Sequence, residues 1–425
     1  MAACALASAR ARDGAVTLGS RASSDTDLPP EIFFAAAEES LPRSLIGCNS
    51  VDYLRGFALL TLASLQDAKI SAMQMYLGNY FTLISMNQWQ DEVHWPSDLQ
   101  PAEIEDFRVL FWSMYTLDIY SSIVWDGCIH FQESHAKVRY PTRLSGNHHH
   151  VENEDDWLTG WNFTTDLYRI MEHDLRRLRS KRSKFNLLGE EERLVTGPGH
   201  TSYDKVNTMY TQLAPVFQQI RPVTGNPDHD IFGFQAANIQ ATLALLQMVS
   251  LSLEDQVDIN KKCNVVSDVL STFHRVPQPY LRAISTPIVY HIGGIGTILG
   301  SVMEGQLGPN SWRRVRDLLL SMAELLEGFE ASLSCGAGAG QKLRELAVRV
   351  EEYVSGRGEG RELQRESLVM DAASSTVLDG NVTGTWDDVP FPDFSTPFQL
   401  PGELFEDWTW PFATYDSYGS VGQQE

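Results

Sequence analysis

The stretch that decides the fold is residues 103–125, EIEDFRVLFWSMYTLDIYSSIVW. The apolar residues at helical spacing are Ile104, Phe107, Phe111, Met114 and Leu117. Other apolar side chains fill most of the remaining circumference, and a helix that is apolar on nearly all sides is buried among other elements. The second half of the stretch carries a single charged residue, Asp118. The pattern predicts the central helix of an all-α core.

Four side chains of this helix are predicted to form the structural core: Phe111, Trp112, Tyr115 and Asp118. A carboxylate is costly to bury without a partner. We therefore expect Asp118 to pair with an arginine, such as Arg55, Arg139 or Arg143. No nucleophile, second acid or other catalytic partner accompanies it in the sequence, so we predict no catalytic residue.

Helical periodicity also runs through most of the remaining chain. It predicts a multi-helix domain over residues 29–335, including a single helix over 283–304. Residues 1–25 are rich in alanine, serine and arginine, which weakly resembles a transit peptide, but Asp13 and several glycines interrupt the pattern. We predict a disordered N-terminus over residues 1–28. Residues 336–370 open with a glycine-rich run and hold one short amphipathic helix, so we predict a linker outside the compact domain. Residues 371–425 are predicted to be a disordered tail.

Composition argues against several classes of protein. The five cysteines are too scattered for a zinc or redox motif, and neither a metal nor a cofactor is predicted. The net charge of −22 disfavours direct docking on phosphate or on an anionic membrane. The longest uncharged stretches, 231–253 and 283–303, contain polar residues and glycine, which favours buried helices over membrane spans.

The C-terminal tail has the sharpest compositional signal. Residues 371–425 hold ten acids and no lysine or arginine, and residues 386–418 interleave the acids with aromatics and prolines. This pattern is typical of acidic activation segments, in which acids keep the aromatics solvated until a partner groove binds them. The predicted partner contacts are Trp386, Phe391, Phe394, Phe405, Trp408, Trp410 and Phe412. A solvated tail, or one that docks on its own domain, is the alternative.

One dense basic run contrasts with this acidity. Its cations are Arg176, Arg177, Arg179, Lys181, Arg182 and Lys184. Such a run is a candidate nuclear import signal or nucleic-acid patch. The alternative is a solvated helix end, where cations complement the negative end of the helix dipole.

Two further patterns are interpreted as structural. His148–His150 and the acids that follow them offer metal-ligating atoms, but adjacent histidines on a loop define no coordination geometry, so a surface loop is predicted. Gly293, Gly294 and Gly296 lie inside an apolar helical run with no preceding strand. They predict close helix packing rather than phosphate binding.

Residues 50–141 resemble the regulatory "middle homology" domain of fungal binuclear zinc-cluster transcription factors. Tyr53–Ala63 is similar to its first element. The residues that fit its core signature are Glu105, Asp106, Arg108, Leu110, Phe111, Trp112, Ser113, Tyr115, Leu117 and Asp118, and those that fit its closing element are Val138, Tyr140 and Pro141. The chain departs from the family at 86–89 (MNQW, where the family has a GLHR-like turn) and at 126–128 (DGC, where it has a GRP-like turn). A weaker similarity continues to about residue 335.

The resemblance implies a nuclear transcription regulator, not an enzyme, that controls a pathway or a secondary-metabolite gene cluster. Its acidic tail would contact transcriptional coactivators, and no membrane is implied. The family's DNA-binding module needs six closely spaced cysteines, which are not present here. DNA would therefore be reached only indirectly, through a module outside these residues, or through a dimer or zinc-cluster partner protein.

Two alternative functions stay open. In the first, the chain is a co-regulator or decoy that depends on an intact zinc-cluster partner. In the second, it is a helical enzyme or small-molecule sensor, which would place converging polar side chains around an enclosed cavity near Asp118.

Overall fold

The computed structural model describes residues 1–14, 28–143, 156–182, 202–253, 259–300, 309–331, 333 and 338–352. These residues form α-helices joined by loops and short 3₁₀ turns, and they contain no β-strand. An isolated bridge between Asp91 and Lys137 is their one extended pairing. The predicted all-α class is confirmed.

Thirteen α-helices follow one another along the described residues. They are α1 Ala2–Arg12, α2 Pro30–Ser40, α3 Val51–Gln66, α4 Ile70–Met86, α5 Pro101–Val124, α6 Trp157–Arg182, α7 Ser202–Gln212, α8 Pro227–Leu251, α9 Ile259–Phe273, α10 Gln278–Ile284, α11 Thr286–Gly300, α12 Pro309–Glu330 and α13 at 339–352. The 3₁₀ turns are Glu92–His94, Glu133–His135 and Pro215–Phe217.

The central helix α5 begins and ends at clear local signals. Pro101 occupies its first turn, and Gln100 and Glu103 form a capping box in which the Gln100 N–H donates to Glu103 Oε2 at 2.9 Å. The helix ends where Asp126 adopts a φ of 51°. Arg179 of α6 donates to the carbonyl oxygen of Gly127 at 2.7 Å, which fixes the exit of the chain from α5.

All four predicted core residues of α5 are buried, with Phe111, Tyr115 and Asp118 0% exposed and Trp112 4% exposed. The helix contacts α3, α6 and α11. It therefore lies at the centre of a core that continues through the helices on all sides, as the all-round apolar pattern predicts.

The helix predicted over 283–304 corresponds to α11, which begins at Thr286, and residues 283 and 284 belong to the preceding short helix α10. The two helices meet at 91°. Ser285 lies between them with a φ of 60° and a ψ of −142°. Pro287 has no N–H to continue a helix from α10 but fits the first turn of a new one, which explains the break.

The N-terminus also differs from the prediction for 1–28, because residues 2–12 form α1. This helix is rich in alanine, the best helix former. Ala5 and Ala9 are each 1% exposed, so their small side chains let α1 lie close against its neighbours α2 and α3. Arg12 Nη2 is 2.9 Å from Asp67 Oδ1 at the end of α3. The compact unit thus begins before residue 29, and residues 15–27 lie outside the described part.

The compact unit also extends beyond residue 335. Helix α13 belongs to the same core, because Leu343, Leu346 and Val350 are 3%, 4% and 0% exposed. Gly296 and Gly300 of α11 make room for this contact. A Cβ added at Gly296 would be 2.9 Å from Leu343, and one at Gly300 would be 2.2 Å from Leu346. The prediction of close helix packing at this glycine run is confirmed, whereas the domain boundary at 335 is wrong.

Within the described residues, no helix taken singly has the length and apolar composition needed to cross a membrane. The bent pair of α10 and α11 meets both criteria when the two helices are taken together.

Candidate functional site

The buried carboxylate of Asp118 is held by the loop that follows α5. Its Oδ2 accepts the backbone N–H groups of His130 at 2.8 Å and Phe131 at 3.0 Å, and its Oδ1 is 2.7 Å from His130 Nδ1. Hydrogen bonds to a buried carboxylate offset the cost of its desolvation. Asp118 therefore anchors the returning loop to the middle of α5.

The predicted arginine partner of Asp118 is wrong. Arg55 pairs with the exposed Asp52, and Arg139 pairs with Glu92. The loop turns back over α5 immediately after the helix ends. The residue that reaches Asp118 is therefore His130, which lies twelve positions further along the chain. The sequence carries no signal that singles out this histidine.

His130 is a partly exposed member of this pair, with 27% of its side chain accessible. The hydrogen bond to Asp118 raises the pKa of His130 above its ordinary value. Its ring also stacks on Phe81 of α4 at 6.0 Å between centroids. The pair joins α4, α5 and the loop.

A second buried acid, Glu172 of α6, lies beside α5. It accepts a hydrogen bond from the Tyr115 hydroxyl at 2.7 Å and from the Glu133 N–H at 2.9 Å, and Arg176 Nη1 is 3.5 Å away. Sequence reasoning missed Glu172, although its position four residues after the buried Tyr168 places it on the apolar face of the helix.

Polar residues near the start of α5, Glu105 and Arg108, bind the end of the loop that follows α5 to the start of that helix. Arg108 forms a two-pronged ion pair with Glu92, with both N···O distances at 2.8 Å, and also pairs with Glu105. Glu92 in turn accepts the N–H of Arg139 at 2.8 Å. These arginine hydrogen bonds lower the pKa of Glu92, although burial acts in the opposite direction and is the larger single influence.

The aromatic signature residues complete the junction between α5, the loop and α6. The Trp112 Nε1–H donates to the carbonyl oxygen of Arg139 at 3.1 Å, and Tyr140 bonds Asp166 of α6. The Arg169 guanidinium lies 5.9 Å from the Trp112 ring centroid and 5.7 Å from that of Tyr140. The signature residues thus meet at one place, and most of their polar groups are already bonded to one another.

Most polar groups at this junction are bonded to one another, with one exception. Both oxygens of Asp118 are engaged by the loop, and Glu172 accepts two hydrogen bonds at Oε2. The buried Oε1 of Glu172 has no hydrogen-bond partner among the described residues and lies 3.5 Å from Arg176 Nη1. Two surface grooves were found elsewhere. One of about 580 Å³ is lined by residues that include Asp52, Asn87 and His94, and one of about 360 Å³ is lined by residues that include His274 and Phe329. Neither groove reaches Asp118 or Glu172.

A buried histidine in α11 was also not anticipated. His291 is 6% exposed, and its Nε2–H donates to the carbonyl oxygen of Ala241 at 2.9 Å. Burial lowers the pKa of His291 to about 4, because the charged ring would lose its hydration. The ring therefore stays neutral and structural at ordinary pH.

This histidine predicts a loss of stability in acid. Below pH 6.5 the unfolded chain takes up a proton that the folded chain refuses until about pH 4, so stability falls as the pH drops through this window. Its contribution is about 3 kcal/mol, at 1.36 kcal/mol per pKa unit. Urea unfolding between pH 7 and pH 4 should show a smaller loss in His291→Gln, and the exposed His94→Gln should follow the wild-type profile. Equal pH dependence of wild type and His291→Gln would contradict this assignment.

The basic run lies at the C-terminal end of α6. Arg176 and Arg177 have side chains 45% and 50% exposed and lie 3.5 and 3.6 Å from the buried Glu172 and Asp174. Arg179 caps the end of α5 and is used structurally. The side chains of Lys181 and Arg182, and the whole of Lys184, lie outside the described part.

Several predicted features fall outside the described residues. These are His148–His150, and the tail residues Trp386, Phe391, Phe394, Phe405, Trp408, Trp410 and Phe412. Among the residues that are described, no cluster of three or more metal-ligating side chains occurs.

Comparison with known proteins adds no assignment. A scan against models of protein families, a search of curated proteins and a search of solved structures each found no match.

Proposed function

We propose that the chain is a nuclear transcription regulator of the fungal zinc-cluster type. Its helical domain would be the regulatory domain, and residues 371–425 would recruit transcriptional coactivators. The observation that carries the proposal is the LFWSMYTLD string, whose resemblance to the family signature extends to Arg108 and Tyr140. That these residues meet at one junction in the fold supports a shared structural role.

A regulatory role also fits the chemistry of the central helix better than an enzyme does. Asp118 and Glu172 each accept hydrogen bonds from neighbouring groups, and the two grooves lie away from them. The proposal therefore places function in surfaces that bind other proteins, and in the control of a pathway or gene cluster.

The activating segment can be tested by fusing residues 371–425 to a DNA-binding domain that does not activate by itself. We expect reporter expression from the fusion. We expect Trp408→Ala with Phe412→Ala to lower it by at least about tenfold, since buried aromatic anchors each contribute about 1 to 2 kcal/mol to such contacts and about 1.4 kcal/mol corresponds to a factor of ten in affinity. Reporter output normalised to fusion-protein abundance is the measurement.

A matched control is the double change Ser417→Ala and Ser420→Ala, which leaves every acid and aromatic in place. It should keep full expression of the reporter. A fusion that does not activate, or one that is indifferent to loss of Trp408 and Phe412, would remove the tail from the proposal.

A second candidate is a co-regulator that reaches DNA through a zinc-cluster partner protein. The observation that favours it is the set of five scattered cysteines, which cannot form a six-cysteine cluster. Sequence-specific binding of DNA by the purified chain alone would exclude this form of the proposal.

A further inference from the structure

Four helix ends meet at one end of the molecule. Near the end of α6, Asp174 accepts a hydrogen bond from Ser250 of α8 at 2.6 Å. Just past the end of α8, Ser252 is 3.1 Å from Lys262 of α9. On α9, Asn264 accepts from Arg314 of α12 at 2.6 Å. The ends of α6 and α8 and the starts of α9 and α12 therefore lie side by side.

Four arginines lie at this end of the molecule, and we call Arg176, Arg177, Arg313 and Arg314 the basic end. Arg176 and Arg177 are half-exposed and lie beside Glu172 and Asp174, as described above. Arg313 and Arg314 are exposed, and no carboxylate of the described residues lies within ion-pair distance of either. Within the described residues, the side chain of Arg314 donates a hydrogen bond to the amide oxygen of Asn264. The Arg313 guanidinium lies 5.7 Å from the ring centroid of the half-buried Trp312. Two arginines beside an indole form a surface for acids and aromatics.

The C-terminal tail leaves the body at this same end. Helix α13 runs antiparallel to α12, because Arg344 pairs with Glu327 at 2.6 Å and Glu351 pairs with Arg316 at 3.2 Å. Glu351 is thus beside the first turns of α12, one residue before the described part ends. The chain therefore leaves the described part close to Arg313 and Arg314.

The intervening segment is long enough for the tail to fold back. Residues 353–385 lie between the described part and the docking segment proposed below, and they contain five acids and three arginines, so their net charge is −2. A chain of about 33 residues can reach up to about 110 Å when extended, and a covalent tether gives its two ends an effective concentration that separate molecules lack. A contact too weak to form between separate molecules can be well populated within one chain.

We propose that residues 386–418 dock on the basic end of their own chain. Carboxylates of the tail pair with Arg313 and Arg314, and its aromatic rings stack on the guanidinium planes and on Trp312. Arginine suits both contacts, since its planar fork binds carboxylates in pairs and its face stacks on aromatic rings. When the tail is docked, its own aromatic side chains and the neighbouring basic run at the end of α6 are covered together. Release of the tail therefore exposes both. The proposal does not depend on the chain being a transcription regulator.

Nucleic acid is the rival occupant of this surface. The tail is favoured because it is tethered to the same chain as the surface, whereas nucleic acid has to bind from solution. The two occupants predict different results in the following experiment.

The full chain can be tested by zero-length carbodiimide cross-linking, which joins amines to carboxylates. The variant Arg313→Lys with Arg314→Lys keeps the charge and places two reactive amines on the surface. The matched control is Arg221→Lys with Arg282→Lys. It places the two reactive amines before the first residues of α8 and α11, at the ends of those helices that lie away from the basic end. We expect the Arg313→Lys and Arg314→Lys pair to give at least about tenfold more cross-links to residues 386–418 than the control pair. These cross-links should be lost in about 1 M salt, because the Debye length there is about 3 Å.

Neutral variants give an independent readout. Lys261 of α9 is a natural exposed amine at this end. Arg313→Gln with Arg314→Gln should reduce the cross-links between Lys261 and the tail several-fold, whereas Arg221→Gln with Arg282→Gln should leave them unchanged. Both pairs are exposed, and far-ultraviolet circular dichroism will show that each variant is folded.

Three results would overturn the proposal. The first is an equal yield of tail cross-links from the two lysine pairs. The second is cross-links that form only between differently isotope-labelled chains, which would place the contact between molecules. The third is binding of duplex DNA by the full chain that is abolished by Arg313→Gln with Arg314→Gln while tail cross-links persist, which would assign the surface to nucleic acid.

Discussion

Replacing Asp118 by alanine is expected to lower the free energy of unfolding by about 3 to 5 kcal/mol, the cost typical of removing one partner of a buried ion pair. The change leaves the N–H groups of His130 and Phe131 without the fully buried carboxylate that accepts them, and it leaves the partly exposed His130 ring without its charged partner. Asp118→Asn should cost less, because the amide oxygen can still accept the two N–H groups. Urea denaturation at neutral pH measures both.

The control is Asp52→Ala, since the Asp52 side chain is 85% exposed and its ion pair with Arg55 is on the surface. We expect a change below about 0.5 kcal/mol. A loss of less than about 1 kcal/mol in Asp118→Ala would mean that the loop is not anchored through this carboxylate.

Ending the chain at residue 335 is expected to abolish stable folding, whereas ending it at residue 352 should not. The shorter chain lacks Leu343, Leu346 and Val350, whose burial contributes about 5 to 9 kcal/mol in total at about 1.5 to 3 kcal/mol each. That loss is comparable to the whole stability of a typical domain, about 5 to 15 kcal/mol. Thermal unfolding followed by near-ultraviolet circular dichroism distinguishes the two chains.

A milder variant keeps this prediction testable if the shorter chain aggregates. Leu346→Ala leaves a cavity against Gly300 and should cost about 2 to 5 kcal/mol, whereas the exposed Val348→Ala on the same helix should cost little. Equal midpoints for these two variants, or a cooperative transition in the chain that ends at 335, would restore the boundary predicted from the sequence.

The central helix could be predicted from the sequence because its signal is local. Its capping box, its apolar circumference and the stop at Asp126 all lie within 27 consecutive residues, 100–126. The burial of Phe111 and Tyr115 follows from the same pattern. The break before α11 was readable in principle, since Pro287 cannot continue a helix, but the apolar run on both sides hid it.

The site and both boundaries depended on contacts between distant segments. His130 reaches Asp118 through the path of a loop that has no periodic pattern. Helix α1 is short and alanine-rich, and α13 follows a glycine run, so neither sequence indicates a core position. Their burial depends on small residues at the contacts, Ala5 and Ala9 in α1 and Gly296 and Gly300 opposite α13. Propensity and periodicity describe one segment at a time, so they could not place either helix in the core.

One buried amide ties the order of folding to the order of synthesis. Gln66, at the end of α3, donates to Asp13 after α1 and to Ser285 before α11, which is 219 positions further along the chain. At a ribosomal rate of about 5 to 20 residues per second, roughly 10 to 45 seconds pass between the emergence of Gln66 and that of Ser285. During that interval the first helices can form, but this polar group lacks one of its partners. The nascent chain therefore exposes a half-finished core for tens of seconds, which is a period in which chaperones can act on it.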